Sequence, residues 1–235
     1  MFLSEKRNGT VKGRMVYDGS KTRGWHDRED TASPTASYES IILTAMIDSF
    51  EDRDVMIADV PNAFIQALLP DNDKAGERVV LQITGVLVDL LVKIAPEVYG
   101  PFVVIDKNGK RTLYLQVLRA LYGMLVAAML WYKTLRKDLE EIGFVFNPYD
   151  ACVANRTVEG TQHTIKFHVD DMWSSHKHRS VNIKFKKWLN EKYGKYGEVT
   201  ADHSRYFNYL GVNYDLREKG VLTVSYTHLT LPTKA

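Results

Sequence analysis

Two adjacent aspartates, Asp170 and Asp171, interrupt a stretch of sequence that otherwise favours an extended chain. The residues before them (HTIKFHV, 163–169) and after them (MWSSH, 172–176) contain many β-branched and aromatic side chains, which are typical of strands, whereas Asp is not. Two short strands that meet at an acidic pair predict a tight antiparallel hairpin. The chain must therefore fold so that two neighbouring carboxylates are tolerated at the tip of one hairpin.

The pattern along the rest of the chain mixes strands and helices. From apolar spacing, turn dipeptides and capping residues, we predict the following elements: a hairpin or two in 6–25, a helix from Ser33-Pro34, a strand at 54–60, helical turns at 63–69, a strand at 78–83, a helix at 85–95, a hairpin turning at 108–109, a long helix at 121–144, strands at 151–158 and 163–169, a helix at 180–193 and a terminal hairpin in 206–225. This order predicts an α+β fold in which helices back a central antiparallel sheet.

Length and composition limit the function only weakly. The 235 residues, 45% of them hydrophobic, can bury a substantial core, and a net charge of +2 neither requires nor excludes a polyanionic partner. Cys152 is the single cysteine, so an internal disulfide or a cysteine zinc site is excluded and a reducing compartment is expected. Apolar runs stay shorter than the roughly 18 residues that a membrane span needs, so we predict no membrane partner.

A third aspartate, Asp59, ends the buried-strand candidate DVMIADV (54–60). Carboxylates that converge from two strand ends are suited to a pair of Mg²⁺ ions, because hard cations prefer oxygen ligands. Two such ions can stabilise the attacking and the leaving oxygen of a phosphoryl transfer. The alternative is an ordinary solvated turn, since tight turns accept Asp.

Five motifs in order then identify a family resemblance. They are KGRMV (12–16), IADVPNAFIQALLP (57–70), LRALYGMLVAAMLWY (118–132), FHVDDMWSSH (167–176) and NYLGVNYDLREKGVLTVS (208–225). Together they resemble the reverse transcriptase domain of copia-type LTR retrotransposons. The resemblance covers residues 1 to about 225 and implies a fingers-and-palm polymerase fold without its thumb.

The resemblance implies a domain division and a metal site. Fingers would lie mainly in 1–50 and part of 71–120, and the palm mainly in 51–70 and 121–225. The catalytic and metal-binding carboxylates would be Asp59, Asp170 and Asp171, with the backbone carbonyl of Val60 as a further ligand. The cofactor would be two Mg²⁺ ions, with Mn²⁺ as a substitute.

The resemblance also assigns substrate contacts. Phe64 would lie under the sugar of the incoming nucleotide and exclude a 2′-hydroxyl; the alternative is a plain core residue. The basic residues Lys12, Arg14 and Arg23 would meet the triphosphate, unless they form an exposed strand face. His168 stands where the family has Tyr beside the primer end. A zinc site that uses His168 with Asp170 is a weaker alternative, because it lacks a third ligand.

Lysines are concentrated around the helix predicted at 180–193. Such clusters bind phosphate backbones through counterion release, so we predict nucleic-acid contacts from Lys184, Lys187, Lys192 and Lys195. The alternative is a solvated helix face. Lys192 or Lys195 could also protonate the pyrophosphate that leaves.

Two segments depart from the family pattern. The family usually has polar residues after Leu-Tyr-Gly, where this chain has MLVAAML (124–130), so no polar role is predicted there. Residues 226–235 do not resemble the family and are interpreted as a non-native tail.

The function implied is RNA-directed DNA polymerisation, with an RNA template, a DNA primer and a deoxynucleoside triphosphate as partners. The chain would be a piece of a polyprotein whose integrase and RNase H portions are absent here. It would act in cytoplasmic virus-like particles, and its product complex would enter the nucleus. A catalytically inactive nucleic-acid-binding remnant and a metal-dependent nuclease are the alternatives.

Overall fold

The structure, a computed structural model, describes residues 2–5, 9, 11–14, 16–70 and 79–226. The strands in these ranges are β1 (Phe2–Glu5), β2 (Val11–Arg14), β3 (Asp54–Asp59), β4 (Val80–Thr84), β5 (Val103–Ile105), β6 (Arg111–Gln116), β7 (Val145–Phe146), β8 (Val153–Val158), β9 (Thr161–His168), β10 (Asp171–His176), β11 (Thr200–Asp202), β12 (Tyr206–Tyr209), β13 (Val212–Asp215) and β14 (Thr223–Tyr226). The α-helices are α1 (Arg28–Thr31), α2 (Tyr38–Phe50), α3 (Ala63–Gln66), α4 (Val86–Ile94), α5 (Pro96–Tyr99), α6 (Ala127–Glu141) and α7 (Arg179–Tyr193). Short 3₁₀ turns cover Gly19–Trp25, Gly100–Phe102 and Gly194–Tyr196.

A six-stranded antiparallel sheet forms the centre of the molecule, in the order β11-β3-β10-β9-β8-β7. Strands β9 and β10 are the hairpin that carries the acidic pair, and β3 lies beside β10. Both faces of the sheet are covered. As a result β9 is buried along five consecutive residues, 163–167, instead of alternating between solvent and core.

Helices α6 and α7 cover one face of this sheet. Apolar side chains on α6 recur every four residues, at Trp131, Leu135 and Leu139, which places them on a single side of the helix. They pack with sheet and α7 residues in one cluster whose buried members include Met56, Ala58, Ile165, Phe167, Met172, Phe185 and Leu189. This face therefore holds the main core, and its packing anchors the β9–β10 hairpin.

The other face packs against α2 and a second sheet, of order β12-β13-β14. Trp173 on β10 is fully buried at the centre of this contact, and its ring meets that of Phe207 edge to face at 4.7 Å. The indole N–H of Trp173 donates a 3.0 Å hydrogen bond to Asp48 on α2. The hairpin is thus fixed from both sides.

A smaller sheet, of order β4-β6-β5, is formed by the middle of the chain. Helix α4 follows β4 and packs on it, with Val88 fully buried, and Leu113 on β6 is also fully buried. Asn108-Gly109 turns β5 into β6, as predicted, with Gly109 in the left-handed region at φ 74°. None of the helices in the described ranges is long and apolar enough to cross a membrane.

The α+β class and most predicted elements are confirmed, including β3, the β9–β10 hairpin, α4, α7 and the strands after residue 206. Three predictions are wrong. The long helix begins at Ala127, not at 121, because Gly123 has φ 90° and breaks the helical path. Helix α2 is capped by Ser37 instead of Ser33. The end of the region 6–25, where a second hairpin is predicted, instead forms the 3₁₀ turn Gly19–Trp25, which Asp18 caps. The tail beyond Tyr226 lies outside the described residues.

Candidate active site

Asp59 and Asp171 lie directly opposite each other on neighbouring strands. Strand β3 ends at Asp59, β10 begins at Asp171, and the antiparallel register makes the two residues Cα partners. Opposite residues on paired strands have their Cβ atoms about 4.5–5.5 Å apart and project to the same face. The structure therefore brings two of the three predicted carboxylates into one place.

The third carboxylate, Asp170, lies in the two-residue turn between β9 and β10. Val169 has φ 58°, whereas Asp170 is outside the left-handed region, which is the pattern of a type II′ turn. The carbonyl oxygen of Asp170 accepts a 3.2 Å hydrogen bond from the amide of Val60. The turn is thus tied by its backbone to the end of β3, and Asp170 stays next to the pair formed by Asp59 and Asp171.

The electrostatics of Asp171 reflect this crowding. Partial burial is the main cause that raises the pKa of Asp171, and the negative charges of Asp170 and Asp59 raise it further. His168, its Cα partner across the hairpin, acts in the opposite direction. Three carboxylates that repel one another favour a bound cation, since a positive charge would relieve the repulsion.

Asp59 and Asp171 open into a groove of about 270 Å³ at the edge of the six-stranded sheet. Its far wall is β11, where Thr200 is the Cα partner of Asp59 and Asp202 that of Ile57. Thr200 and Asp202 therefore lie on the same face as Asp59. Neither residue can be predicted from the sequence, because a three-residue edge strand leaves no periodic signal.

The donor set suits a hard divalent cation. All three carboxylates offer oxygen ligands, and the raised pKa of Asp171 shows that their charges act on one another. As the side chains are placed, no group of three His, Cys, Asp or Glu residues in the described ranges is arranged to hold a metal ion. The residues fit Mg²⁺ in chemistry and in backbone position, and a full set of ligands requires the side chains to converge further. The carbonyl of Val60 as a ligand stays a prediction.

Phe64 lies on the single turn of α3, just after Asp59 in the chain, and its ring packs against that of Tyr122 at 4.6 Å. Three polar side chains hold this turn. Asn62 donates to the carbonyl of Tyr196, Gln66 donates to that of Tyr193, and Arg119 donates to the carbonyls of residues 65 and 66. Phe64 therefore lies on a turn that hydrogen bonds hold in place.

The other predicted substrate contacts are scattered. Lys12 and Arg14 fall on β2, but their side chains lie outside the described part of the structure. Arg23 is exposed in the Gly19–Trp25 turn. His168 is half-buried next to Asp171, and its Nδ1 atom is buried with no hydrogen-bond partner among the described residues. Among the side chains that the structure describes here, that of His168 lies beside the carboxylates.

Most lysines of the basic helix face acidic partners. Lys184 is paired with Glu159, Lys187 with Glu191, and Lys192 with Asp138 and Glu141. Lys195 instead lies in the turn after α7, with its ammonium 5.4 Å from the ring centre of Tyr196. The pairs of Lys184 and Lys187 are exposed and contribute at most about 1 kcal/mol, so phosphate groups could displace their acids, whereas Asp138 is nearly buried. The nucleic-acid role of these lysines stays a prediction.

The apolar segment 124–130 has a structural explanation. Leu125, Val126, Met129 and Leu130 line a second cavity of about 270 Å³, together with Tyr17 and other N-terminal residues, and none of the three aspartates lines it. Met124 and Ala127 are buried in the cluster below it. The side chains of this segment thus contribute to local packing.

Comparisons with known proteins place the chain in a family. The family model described as reverse transcriptase (RNA-dependent DNA polymerase) matches residues 3–230. No curated protein shows a match. Among solved structures, apo telomerase from Candida tropicalis is similar with a TM-score of 0.45 and 14% identity, over 88% of this chain and 39% of that one.

Two further telomerase structures are similar, both in complex with the TWJ fragment of telomeric RNA. The one from Candida tropicalis has a TM-score of 0.45 and 12% identity, over 90% of this chain and 36% of that one. The one from Candida albicans has a TM-score of 0.42 and 11% identity, over 88% and 37%. This chain spans less than two fifths of the length of each of the three. Because the family model covers nearly the whole sequence, the chain belongs to the reverse transcriptase (RNA-dependent DNA polymerase) family.

Proposed function

We propose that this chain is the fingers-and-palm part of a copia-type retrotransposon reverse transcriptase, which copies an RNA template into DNA. The observation that carries the proposal is the direct register of Asp59 with Asp171, with Asp170 held beside them by the amide of Val60. The family match supports the polymerase class. The five sequence motifs support the copia-type subgroup.

In the proposed reaction, the 3′-hydroxyl oxygen of the primer forms a bond to the α-phosphorus of a deoxynucleoside triphosphate. The bond from that phosphorus to the bridging oxygen breaks, pyrophosphate leaves with the bonding electrons, and the proton of the primer hydroxyl passes to solvent water. The role of Asp59, Asp170 and Asp171 is to present carboxylate oxygens at the groove beside β11. When bound there, two Mg²⁺ ions, or Mn²⁺ in their place, would supply the positive charge that stabilises the attacking and leaving oxygens.

A proton donor for pyrophosphate is best sought at Lys195. Lys192 donates to Asp138 over 2.8 Å, and this hydrogen bond raises its pKa, so it is a poorer acid. Lys195 follows α7 in the turn whose Tyr196 carbonyl accepts from Asn62, three residues after Asp59. A general acid must lie close to the reacting group, and this hydrogen bond ties the turn that carries Lys195 to the segment that follows Asp59.

Selection of the deoxynucleotide is assigned to Phe64. The ring is supported by Tyr122 and lies on a turn held by four hydrogen bonds from three side chains to carbonyls. A ring held in this way cannot easily move aside to make room for a 2′-hydroxyl. Phe64 would therefore discriminate against ribonucleotides by steric exclusion.

We also propose which other domains belong to the same polyprotein and where synthesis takes place. Integrase and RNase H portions would belong to the same polyprotein, and synthesis would take place in cytoplasmic virus-like particles before the product complex enters the nucleus. Nucleic-acid contacts would come from the lysines of α7, after displacement of acids such as Glu191.

Primer extension on an RNA template tests the proposal. We expect the full chain with Mg²⁺ to extend a DNA primer, and Asp170→Asn or Asp59→Asn to reduce extension by at least about a thousandfold, since each removes a ligand of the reacting centre. Asp27→Asn is the control and should leave extension unchanged, because Asp27 is an exposed carboxylate of the N-terminal segment that does not line this groove.

The same assay separates the alternatives. Degradation of the template or primer without extension, lost with Asp170→Asn, would indicate a metal-dependent nuclease. Salt-sensitive binding of the primer–template with neither extension nor degradation would indicate an inactive remnant. Either result contradicts the polymerase proposal.

A further inference from the structure

We propose that Trp131 is a positioning residue that holds the strained turn at Val169 and thereby fixes Asp170 and Asp171. The inference rests on the proposed function for the role of these carboxylates. The bond that carries it joins the indole Nε1 of Trp131 to the carbonyl oxygen of Val169 over 2.7 Å.

The turn is strained because of the residue that occupies it. The first central position of a type II′ turn strongly favours Gly, since its φ is positive. Val169 occupies that position at φ 58° with a β-branched side chain, for which a positive φ is a true outlier. Such a conformation persists only where the surrounding structure imposes it. An isolated hairpin with this sequence would therefore relax to another turn.

Trp131 supplies a restraint from outside the hairpin. Its side chain is 1% exposed on α6, so the buried indole N–H requires an acceptor, and the carbonyl of Val169 provides it. That carbonyl shares a planar peptide unit with the amide of Asp170. A fixed carbonyl direction therefore fixes the orientation of the peptide plane that leads into Asp170.

The indole of Trp131 is in turn packed against α7. Tyr193 on α7 meets the Trp131 ring edge to face at 5.1 Å, and its hydroxyl donates a 2.6 Å hydrogen bond to Asp138 on α6. Trp131 thus has one orientation between two packed helices. It is a rigid donor and can resist relaxation of the turn.

The neighbouring carbonyls of the turn are restrained as well. The carbonyl of Asp170 accepts from the amide of Val60, and that of Asp171 accepts from the hydroxyl of Tyr209 at 3.4 Å. Three consecutive carbonyls are therefore held by three different elements. The bond from Trp131 is the shortest of the three and acts on the residue with positive φ.

Two substitutions in combination test this role. Trp131→Phe removes the donor and keeps a ring, whereas Val169→Gly removes the strain, because Gly adopts a positive φ freely. We expect Trp131→Phe to lower kcat for single-nucleotide addition about tenfold, with KM for the nucleotide changed less than about twofold, because one hydrogen bond is lost. In the Val169→Gly background, the same substitution should lower kcat less than about threefold.

The matched control is Trp188→Phe. Trp188 is a half-buried indole on α7 that stacks on Phe185 and meets the ring of Tyr193 edge to face at 6.2 Å. Trp188→Phe therefore changes the packing beside Tyr193 but leaves the hydrogen bond from Trp131 to Val169 intact. It should leave kcat within about threefold of the unmodified chain, since only packing is changed. An equal loss of kcat from Trp131→Phe in both backgrounds, or no loss in either, would overturn the positioning role.

A second readout does not depend on activity. Mg²⁺ that binds the folded chain raises the thermal unfolding midpoint, so a titration of that midpoint reports the carboxylate site. We expect Trp131→Phe to raise the half-saturating Mg²⁺ concentration several-fold, Trp188→Phe to leave it unchanged, and Val169→Gly to restore it in the double variant. Absence of primer extension by the unmodified chain would refute the proposed function, whereas an unchanged Mg²⁺ titration in Trp131→Phe would refute the positioning role.

Discussion

The amide of Tyr17 donates a 2.7 Å hydrogen bond to the carbonyl oxygen of Tyr122, which lays the N-terminal segment directly on the turn before α6. Gly123 follows in that turn at φ 90°, and a Cβ atom added to it would lie 2.1 Å from the carbonyl oxygen of Tyr17. The close contact of the two backbones explains why the Leu-Tyr-Gly motif needs its glycine. It also makes Gly123 the point where two distant segments are joined.

Gly123→Ala is therefore expected to destabilise the protein by more than about 3 kcal/mol, since the positive φ and the backbone clash both oppose the new side chain. Gly160→Ala is the control, because Gly160 also has a positive φ, 76°, but an added Cβ would meet nothing within 4 Å. It should cost only about 1–2 kcal/mol. Urea unfolding followed by circular dichroism measures both, and equal losses would contradict the contact.

The charge of Asp171 should oppose folding when no divalent ion is bound. Burial and the charges of Asp170 and Asp59 raise its pKa in the folded protein, so the folded state binds the proton more tightly than the unfolded chain does. The free-energy cost of ionising Asp171 is absent below its pKa in the unfolded chain. It reaches its full size above the raised pKa of Asp171 in the folded protein. Asp171→Asn should stabilise the metal-free protein at pH 7 by about 0.5–1 kcal/mol, because like charges opposite each other repel.

Urea unfolding in a chelating buffer measures this effect, and the gain should disappear as the pH is lowered to 4. Added Mg²⁺ should stabilise the unmodified chain more than it stabilises the Asp171→Asn variant. Destabilisation by Asp171→Asn at pH 7 without metal would show that the three carboxylates do not repel one another as described.

His163 should make the protein sensitive to acid. It is fully buried between β8 and β10, and burial, followed by the charges of Arg156, His176 and Arg53, lowers its pKa to about 3. The unfolded chain takes up this proton near pH 6.5, but the folded protein does not, so stability is complete above pH 6.5 and falls as the pH is lowered. Between pH 7.5 and pH 5 the loss from this group is about 2 kcal/mol.

His163→Gln should lower stability at pH 7.5, because hydrogen bonds with Ser174 and Arg156 are lost. It should also remove most of the acid-dependent slope of the unfolding free energy. His26→Gln, on the N-terminal segment, should keep the slope. An unaltered slope in His163→Gln would place the acid sensitivity elsewhere.

Lys195 and Lys192 should differ in what they contribute. Lys195→Ala is expected to slow nucleotide addition by about a hundredfold, as loss of a general acid does. Lys192→Ala should leave the rate within about threefold and cost about 1 kcal/mol of stability, because the ammonium pairs with Asp138. Single-turnover kinetics would contradict this assignment if Lys192→Ala caused the larger loss of rate.

Substitution of Phe64 should relax the choice of sugar. Phe64→Ala is expected to reduce the ratio of kcat/KM for deoxynucleotides over ribonucleotides by at least about tenfold, because it removes the ring that we propose to exclude the 2′-hydroxyl. Phe64→Tyr keeps the ring and should retain most of the ratio. Should Phe64→Ala lower both kcat/KM values equally, Phe64 would be a core residue that supports Tyr122 and not a sugar sensor.

The elements predicted best are those with local signals. The β9–β10 hairpin, strand β3 and helix α7 follow from side-chain periodicity and propensity within a few residues, and the structure confirms them. The start of α6 was missed because Gly123 is driven to φ 90° by its contact with Tyr17, which no local pattern reveals. Strand β11 was missed because it is only three residues long and is stabilised by its pairing with β3.

The sequence by itself determined which residues could serve chemistry: three aspartates at strand ends, an aromatic residue shortly after the first, and a family likeness. Only the tertiary structure decided that Asp59 and Asp171 are in register, that Trp131 reaches the carbonyl of Val169, and that Lys192 is already paired. The physical reason is that composition and periodicity act over neighbouring residues, whereas register, buried hydrogen bonds and ion pairs arise from packing between distant segments of the chain.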